Sequence, residues 1–230
     1  MKQICITDHQ DFNWPVHDEI PLINIQEYFN VLSLLKKQYS HQIEVFRGIE
    51  LGLMKGNEQS CHKLLSNYNF DFIIGSCHIV DNEDPYYPDF WKRHTDRDAF
   101  ELYFNTLLDS LKTFHCIDTL GHMDYIVRYS PNKDSNYSVF DYTDIIDAIL
   151  NFIIAKNIKL EINTSNFAKG FNFPNPHTDI INRYKELGGE YVTVGSDAHN
   201  ASDIGYKFGM VENIINKYKL KVFTLPAKTN

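Results

Sequence analysis

Short β-rich runs alternate with amphipathic segments along nearly the whole chain, and this alternation restricts the fold more than any other feature. Residues 4–7, 45–51, 72–76, 119–120, 159–163 and 191–194 read as strands. Residues 25–38, 59–68, 99–114, 142–155 and 178–187 carry apolar side chains at helical spacing, and a last helix is expected near 210–216. Gly188 and Gly189 follow the 178–187 segment, where glycine suits a left-handed helix end. Strands separated by helices must run parallel, because a helical crossover returns the chain to the same end of the sheet. The expected architecture is therefore α/β, a single domain over residues 1–230. Two loops, 79–98 and 125–141, are long enough to line a site.

The polar residues fall at the strand ends. His9 follows the first strand, Glu50 ends the second, and His78 follows the third. His122 follows the fourth, Glu161 and Asn163 alternate along the fifth, and Asp197 and His199 follow the sixth. In a parallel barrel the C-terminal strand ends converge on one face, where active sites form. Histidines and carboxylates gathered there are costly to desolvate without partners, and metal ions supply them. Imidazole with carboxylate suits zinc, manganese or iron. The expected metal ligands are His9, Glu50, His78, His122, Asp197 and His199. His17, His41, His62, His94, His115 and His177 lack comparable placement and read as surface, capping or packing residues, with His94 and His177 as minor candidates in loops.

A formal net charge of −8 argues against a nucleic-acid-binding surface but not against a small anionic substrate, because bound cations reverse the local field. No apolar run approaches the roughly 20 residues that span a bilayer, and the N-terminus lacks a signal-peptide pattern. Cys5, Cys61, Cys77 and Cys116 form no C-x-x-C pair, so a zinc ribbon or thioredoxin motif is not suggested. A cytoplasmic protein with a small anionic molecule as its partner, and no membrane or nucleic acid, is expected. There is no P-loop, no G-x-S-x-G and no cysteine in an obvious basic niche, so no covalent nucleophile is indicated.

Several segments together resemble the polymerase and histidinol phosphatase (PHP) superfamily. They are Ile6-Thr7-Asp8-His9, Gly48-Ile49-Glu50, Gly75-Ser76-Cys77-His78, Gly121-His122-Met123-Asp124 and Gly195-Ser196-Asp197-Ala198-His199. The runs from Gly121 to Tyr129 and from Leu187 to His199 are most similar to its histidinol-phosphatase branch. The resemblance implies a distorted seven-stranded (β/α) barrel and hydrolysis of L-histidinol phosphate in histidine biosynthesis. It implies up to three divalent ions: Glu50 bridging two of them, His78 and His122 completing one site, Asp197 in the other, and His9 with His199 at the third. Arg128 matches an arginine that binds the substrate phosphate, and its loss is expected to weaken turnover while leaving the melting temperature almost unchanged. A water held by the metals and Asp197 are the two candidates for the general acid. The family begins with a strand ending in His-x-His, and this sequence contains none. A first strand and crossover of roughly 30 residues is expected to be missing by truncation, since the other motifs are intact. The alternatives are a PHP phosphoesterase for another small ester, or a degenerate metal-binding paralogue without turnover.

Overall fold

The computed structural model describes residues 1–15, 22–114 and 116–226. His17 and His115 lie outside them. Two short strands, β1 (Gln3–Ile6) and β2 (His9–Gln10), run parallel to the long β3 (Glu44–Gly52). Their registers pair Gln3 with Glu44 and His9 with Glu50. Thr7 and Asp8 interrupt what is otherwise one strand, and the Glu50 amide donates to the Asp8 carbonyl at 3.0 Å across the break. β4 (Phe72–Ser76), β5 (Thr119–Leu120), β6 (Lys159–Asn163), β7 (Tyr191–Gly195) and β8 (Lys221–Val222) follow in sequence order, each parallel to its neighbour. With β1 and β2 taken as one interrupted strand, the sheet has seven members.

The sheet curls until its two edges approach one another. The Gln3 side-chain Nε2 donates to the Leu225 carbonyl at 3.1 Å, and the His9 and His199 rings lie 5.8 Å apart. Among the described residues no ladder joins β1 to β7 or β8, so the barrel keeps an open seam there. Two cavities of about 470 and 950 Å³ run along the seam and share walls formed by Ile4, Cys5, Phe72, Thr193 and Phe208.

The strands alternate as a sheet covered by helices requires. Along β6, Leu160 and Ile162 are fully buried in the apolar core, while Glu161 lines the inner cavity. The core itself lies against α4 (Asp96–Thr113) and α5 (Thr143–Ala155). Phe100, Phe104, Leu107 and Leu111 of α4, and Ile146, Ile149 and Ile153 of α5, have no exposed surface and recur at helical spacing. Thr95 starts α4 by accepting the Asp98 amide, and Asn24 starts α1 (Ile25–Gln38) by accepting that of Glu27. α2 (Glu58–Asn67) precedes β4, the short α6 (Ser165–Ala168) follows β6, and α7 (Thr178–Glu186) ends where expected, with Gly188 at φ 99°.

Three readings needed adjustment. The loop expected over 79–98 contains a short helix, α3 (Pro88–Arg93), started by the proline that suits a first helical position. The loop over 125–141 contains two 3₁₀ turns, Tyr125–Tyr129 and Val139–Tyr142. Between those turns, Asp96 gathers Ser130, Asn132 and Asn136 at 2.7–3.1 Å. The last helix, α8 (Phe208–Tyr218), extends beyond its expected span at both ends, where the half-buried Phe208 lines the seam cavities and Tyr218 packs against the core.

Candidate metal centre

The parallel register brings the strand-end residues together at one end of the sheet. Glu50, only 6% exposed, is central. Its Oε1 lies 3.0 Å from His122 Nε2 and 3.3 Å from His78 Nε2, and its Oε2 lies 3.9 Å from His9 Nε2. His9 reaches this position because β2 pairs it directly with Glu50. The His9 and His78 rings are 5.2 Å apart, and those of His78 and His122 are 5.4 Å apart. On the other side His9 faces Asp197 and His199. Donor atoms of His9, Glu50 and His78 all lie within 4.8 Å of one another, and so do those of His9, Asp197 and His199. The structure therefore gathers all six expected residues, and it places His9 between the two groups rather than only beside His199.

His122 and Asp197 both adopt left-handed backbone, at φ 45° and 51°. A side chain in that region costs on the order of 1–3 kcal/mol. Both residues follow a strand, His122 after β5 and Asp197 after β7, where the chain turns.

The electrostatics follow from crowding. Burial opposes the Glu50 charge, but His9, His122 and His78 outweigh it and hold the carboxyl well below its usual range. Burial pushes the His122 imidazole down despite Glu50. For Asp197, burial and Glu50 oppose the charge, while Arg128 and His199 are among the neighbours that outweigh them and hold it low. For Glu161 the balance reverses: burial, with the charges of Glu50 and Asp197, outweighs the Asn163 hydrogen bond and the Arg128 charge and drives its carboxyl well above the usual range. Gly195 makes room for it, since a Cβ there would collide with Glu161 Oε1.

This donor set fits divalent metal. His78 Nε2 is buried without a hydrogen-bond partner although it faces Glu50. Imidazole nitrogens and carboxylate oxygens converge with no lysine among them, and a cation would relieve both the unpaired nitrogen and the mutual repulsion of Glu50, Glu161 and Asp197.

Arg128 lies in the Tyr125–Tyr129 turn with only 2% of its side chain exposed. Its Nη1 donates to Asp197 Oδ2 at 3.2 Å, and its guanidinium packs over the Tyr125 ring at 5.1 Å. Its Nε and Nη2 are buried without partners, which leaves two charged donors available to an anion. This burial revises one expectation: a residue so enclosed and ion-paired also supports the local structure, so its removal cannot leave stability untouched.

The minor candidates have structural roles. His177 starts α7, its Nδ1 accepting the Asp179 amide at 3.2 Å, and His94 packs 4.7 Å from the Phe90 ring. The sequence reading overlooked Asp11, whose carboxylate touches both His78 and His9. Strand alternation from His9 is the signal that would have found it, since residues two apart share a face. Glu161 was seen alternating with Asn163, but its exposure to the same cavity as Glu50 and Asp197 is a tertiary fact.

Comparison with known proteins fits this geometry. Residues 1–165 match the PHP domain family model. The chain is 35% identical over 205 residues to a probable histidinol-phosphatase of Clostridium acetobutylicum, covering 89% of this chain and 78% of that protein. It is 29% identical over 204 residues to the histidinol-phosphatase of Lactococcus lactis, covering 87% and 74%. The structure of a Lactococcus lactis histidinol phosphate phosphatase complexed with zinc, L-histidinol and phosphate superposes with a TM-score of 0.84 at 27% identity, covering 97% of this chain and 84% of that one.

Proposed function

Since the chain belongs to the PHP domain family, we propose that it is a metal-dependent phosphomonoesterase that hydrolyses L-histidinol phosphate to L-histidinol and phosphate. The observation that carries this reading is the buried Arg128, with two unpaired guanidinium donors, beside a cluster of three imidazoles around Glu50. The named relatives supply the substrate class.

This set would hold up to three divalent ions, zinc, manganese or iron: Glu50, His78 and His122 would hold one, Asp197 with Glu50 would contribute to a second, and His9 with His199 would hold the third. When bound, such ions make water nucleophilic near neutral pH and offset charge on phosphoryl oxygens. Arg128 binds the phosphate through Nε and Nη2 and keeps the ester in line for attack. Asp197, kept ionised by His122, Arg128 and His199, would serve as a ligand, and a proton it takes from the attacking water would pass on to the L-histidinol oxygen that leaves. Tyr125, packed between the His122 ring and the Arg128 guanidinium, shields both from solvent.

The domain is read as one PHP-type unit over residues 1–230, whose sheet is open between β1 and β7 among the described residues. The enzyme is placed in the cytoplasm, in keeping with four free cysteines and a biosynthetic role. The test is phosphate release by the zinc- or manganese-loaded chain from histidinol phosphate and from p-nitrophenyl phosphate. A kcat/KM at least tenfold higher for histidinol phosphate is expected. Equal rates would move the substrate to another small ester, and no release from either would leave a metal-binding protein without turnover.

A further inference from the structure

One carboxylate lies behind the metal cluster rather than in it. Asp11 follows β2 and its side chain is only 5% exposed. Its Oδ1 is 2.9 Å from His78 Nδ1, and its Oδ2 is 3.6 Å from His9 Nδ1. Glu50 meets the same two rings from the opposite edge, through Nε2 in each case. The two imidazoles thus stand between two carboxylates, with Asp11 on the δ side and Glu50 on the ε side.

The surrounding residues are arranged for this position. Asp11 Oδ1 occupies the space a Cβ would need at Gly52, the last residue of β3, so only glycine admits the carboxylate there. The chain on both sides is pinned. Gln10 Oε1 accepts the Ile23 amide at 3.2 Å. Asn57, itself 1% exposed, donates to the Phe12 carbonyl and accepts from the Asn13 side chain at 2.7 Å.

We propose that Asp11 is the positioning residue of the metal centre, holding His78 by Nδ1, and His9 more loosely, so that Nε2 of each ring faces Glu50. A neutral imidazole carries one N–H. A carboxylate on Nδ1 places that proton there and leaves the Nε2 lone pair free for a metal ion. It also fixes the ring about its own axis, so a ligand need not be ordered when the ion arrives. Asp11 is not a further ligand, because it touches only the δ edges of both rings. The proposal rests on the metal-centre reading of the proposed function but not on its substrate.

Its test therefore reads metal and ring state rather than turnover. Zinc affinity is measured on the full chain by competition with a chelator for wild type, D11A, D11N and G52A. The His78 tautomer in the metal-free forms is read from long-range ¹H–¹⁵N NMR. D11A is expected to lower the affinity of one zinc equivalent by roughly 10- to 100-fold and to lose the Nδ1-protonated signature of His78. D11N, whose side-chain oxygen still accepts Nδ1–H, is expected to recover most of both. G52A, which displaces the carboxylate without removing it, is expected to shift both in the direction of D11A, and it decides the matter should D11A fail to fold. Wild-type zinc affinity with an unchanged tautomer in D11A or G52A overturns the proposal, as does D11N binding as weakly as D11A. Tight zinc binding with the expected tautomer, but no hydrolysis of histidinol phosphate by wild type, overturns the proposed substrate and leaves the role of Asp11 standing.

Discussion

At the scale of single residues, the site is governed by which charges have partners. Arg128 has one, Asp197, and two donors to spare. Replacing it with alanine should cut kcat/KM for histidinol phosphate by about 10²- to 10³-fold, as loss of a preorganised charged donor does. The same change should lower the melting temperature of the metal-free protein, because Asp197 loses its buried counter-ion. Kinetics and thermal melts on one preparation check both, and unaltered kinetics with reduced stability would make the residue purely structural. His78→Ala should remove about one equivalent of zinc, since it deletes a nitrogen that faces Glu50 and has no other partner. Metal analysis of the purified proteins reads this directly, and equal content in both would count against His78 as a ligand.

Secondary-structure elements are held in register by contacts that the site does not use. Asp118, just before β5, accepts the Ile73 amide through Oδ2 at 2.8 Å and the Lys159 amide through its backbone carbonyl at 3.0 Å, tying β4, β5 and β6 together. Burial pushes its carboxyl above the ordinary range despite the Ile73 hydrogen bond. Because the folded pKa exceeds the unfolded one, its stabilising contribution is complete below the ordinary carboxylate range and is lost as pH rises through the folded value. Asp118→Asn keeps an acceptor but cannot ionise. Wild type should therefore lose stability relative to this variant as pH rises from 4 toward neutrality, measured by urea denaturation. A constant difference across that range would show that the carboxyl is not shifted. In α4, Phe104 has no exposed surface and no polar atom to relocate. Phe104→Ala should destabilise the protein by about 3–5 kcal/mol, and a loss under about 1 kcal/mol would mean that the site collapses around the gap.

For the molecule as a whole, the uneven feature is the seam. β4, β5 and β6 are paired on both sides and covered by helices, whereas β1 has a partner only on its β3 side among the described residues. Every residue of β1 is half-buried, and the cavities beside it interrupt the dense packing found elsewhere. Amide hydrogen exchange should therefore be faster in β1 and in the C-terminal half of β7 than in β4 and β6. Uniform protection across the sheet would mean that the seam is closed in solution. The proposed metal ligands His9, Asp197 and His199 stand on the two sides of this seam, so added zinc should slow exchange there more than in the core.

Much of this was legible in the sequence because the signals are local. Strand–helix alternation dictates a parallel sheet, and a parallel sheet sends every strand end to the same face. His9, Glu50, His78, His122, Asp197 and His199 could thus be grouped without coordinates, although they span most of the chain. The bounds of β4, β5 and β6 also follow from short apolar or alternating runs ended by glycine or polar residues. Contacts across the curl were not legible. His78 and Asp11 are 67 residues apart, and their pairing depends on the β2–β3 register and on the space left by Gly52. Arg128 reads in sequence as a loop arginine, yet its turn folds inward until Asp197, 69 residues away, becomes its counter-ion. Glu161 alternates with apolar neighbours like any strand acid, and only sheet curvature sets it facing Glu50 and Asp197. Periodicity reports which face a residue occupies. The residue it meets across that face is set by register and curvature, which are properties of the assembled sheet.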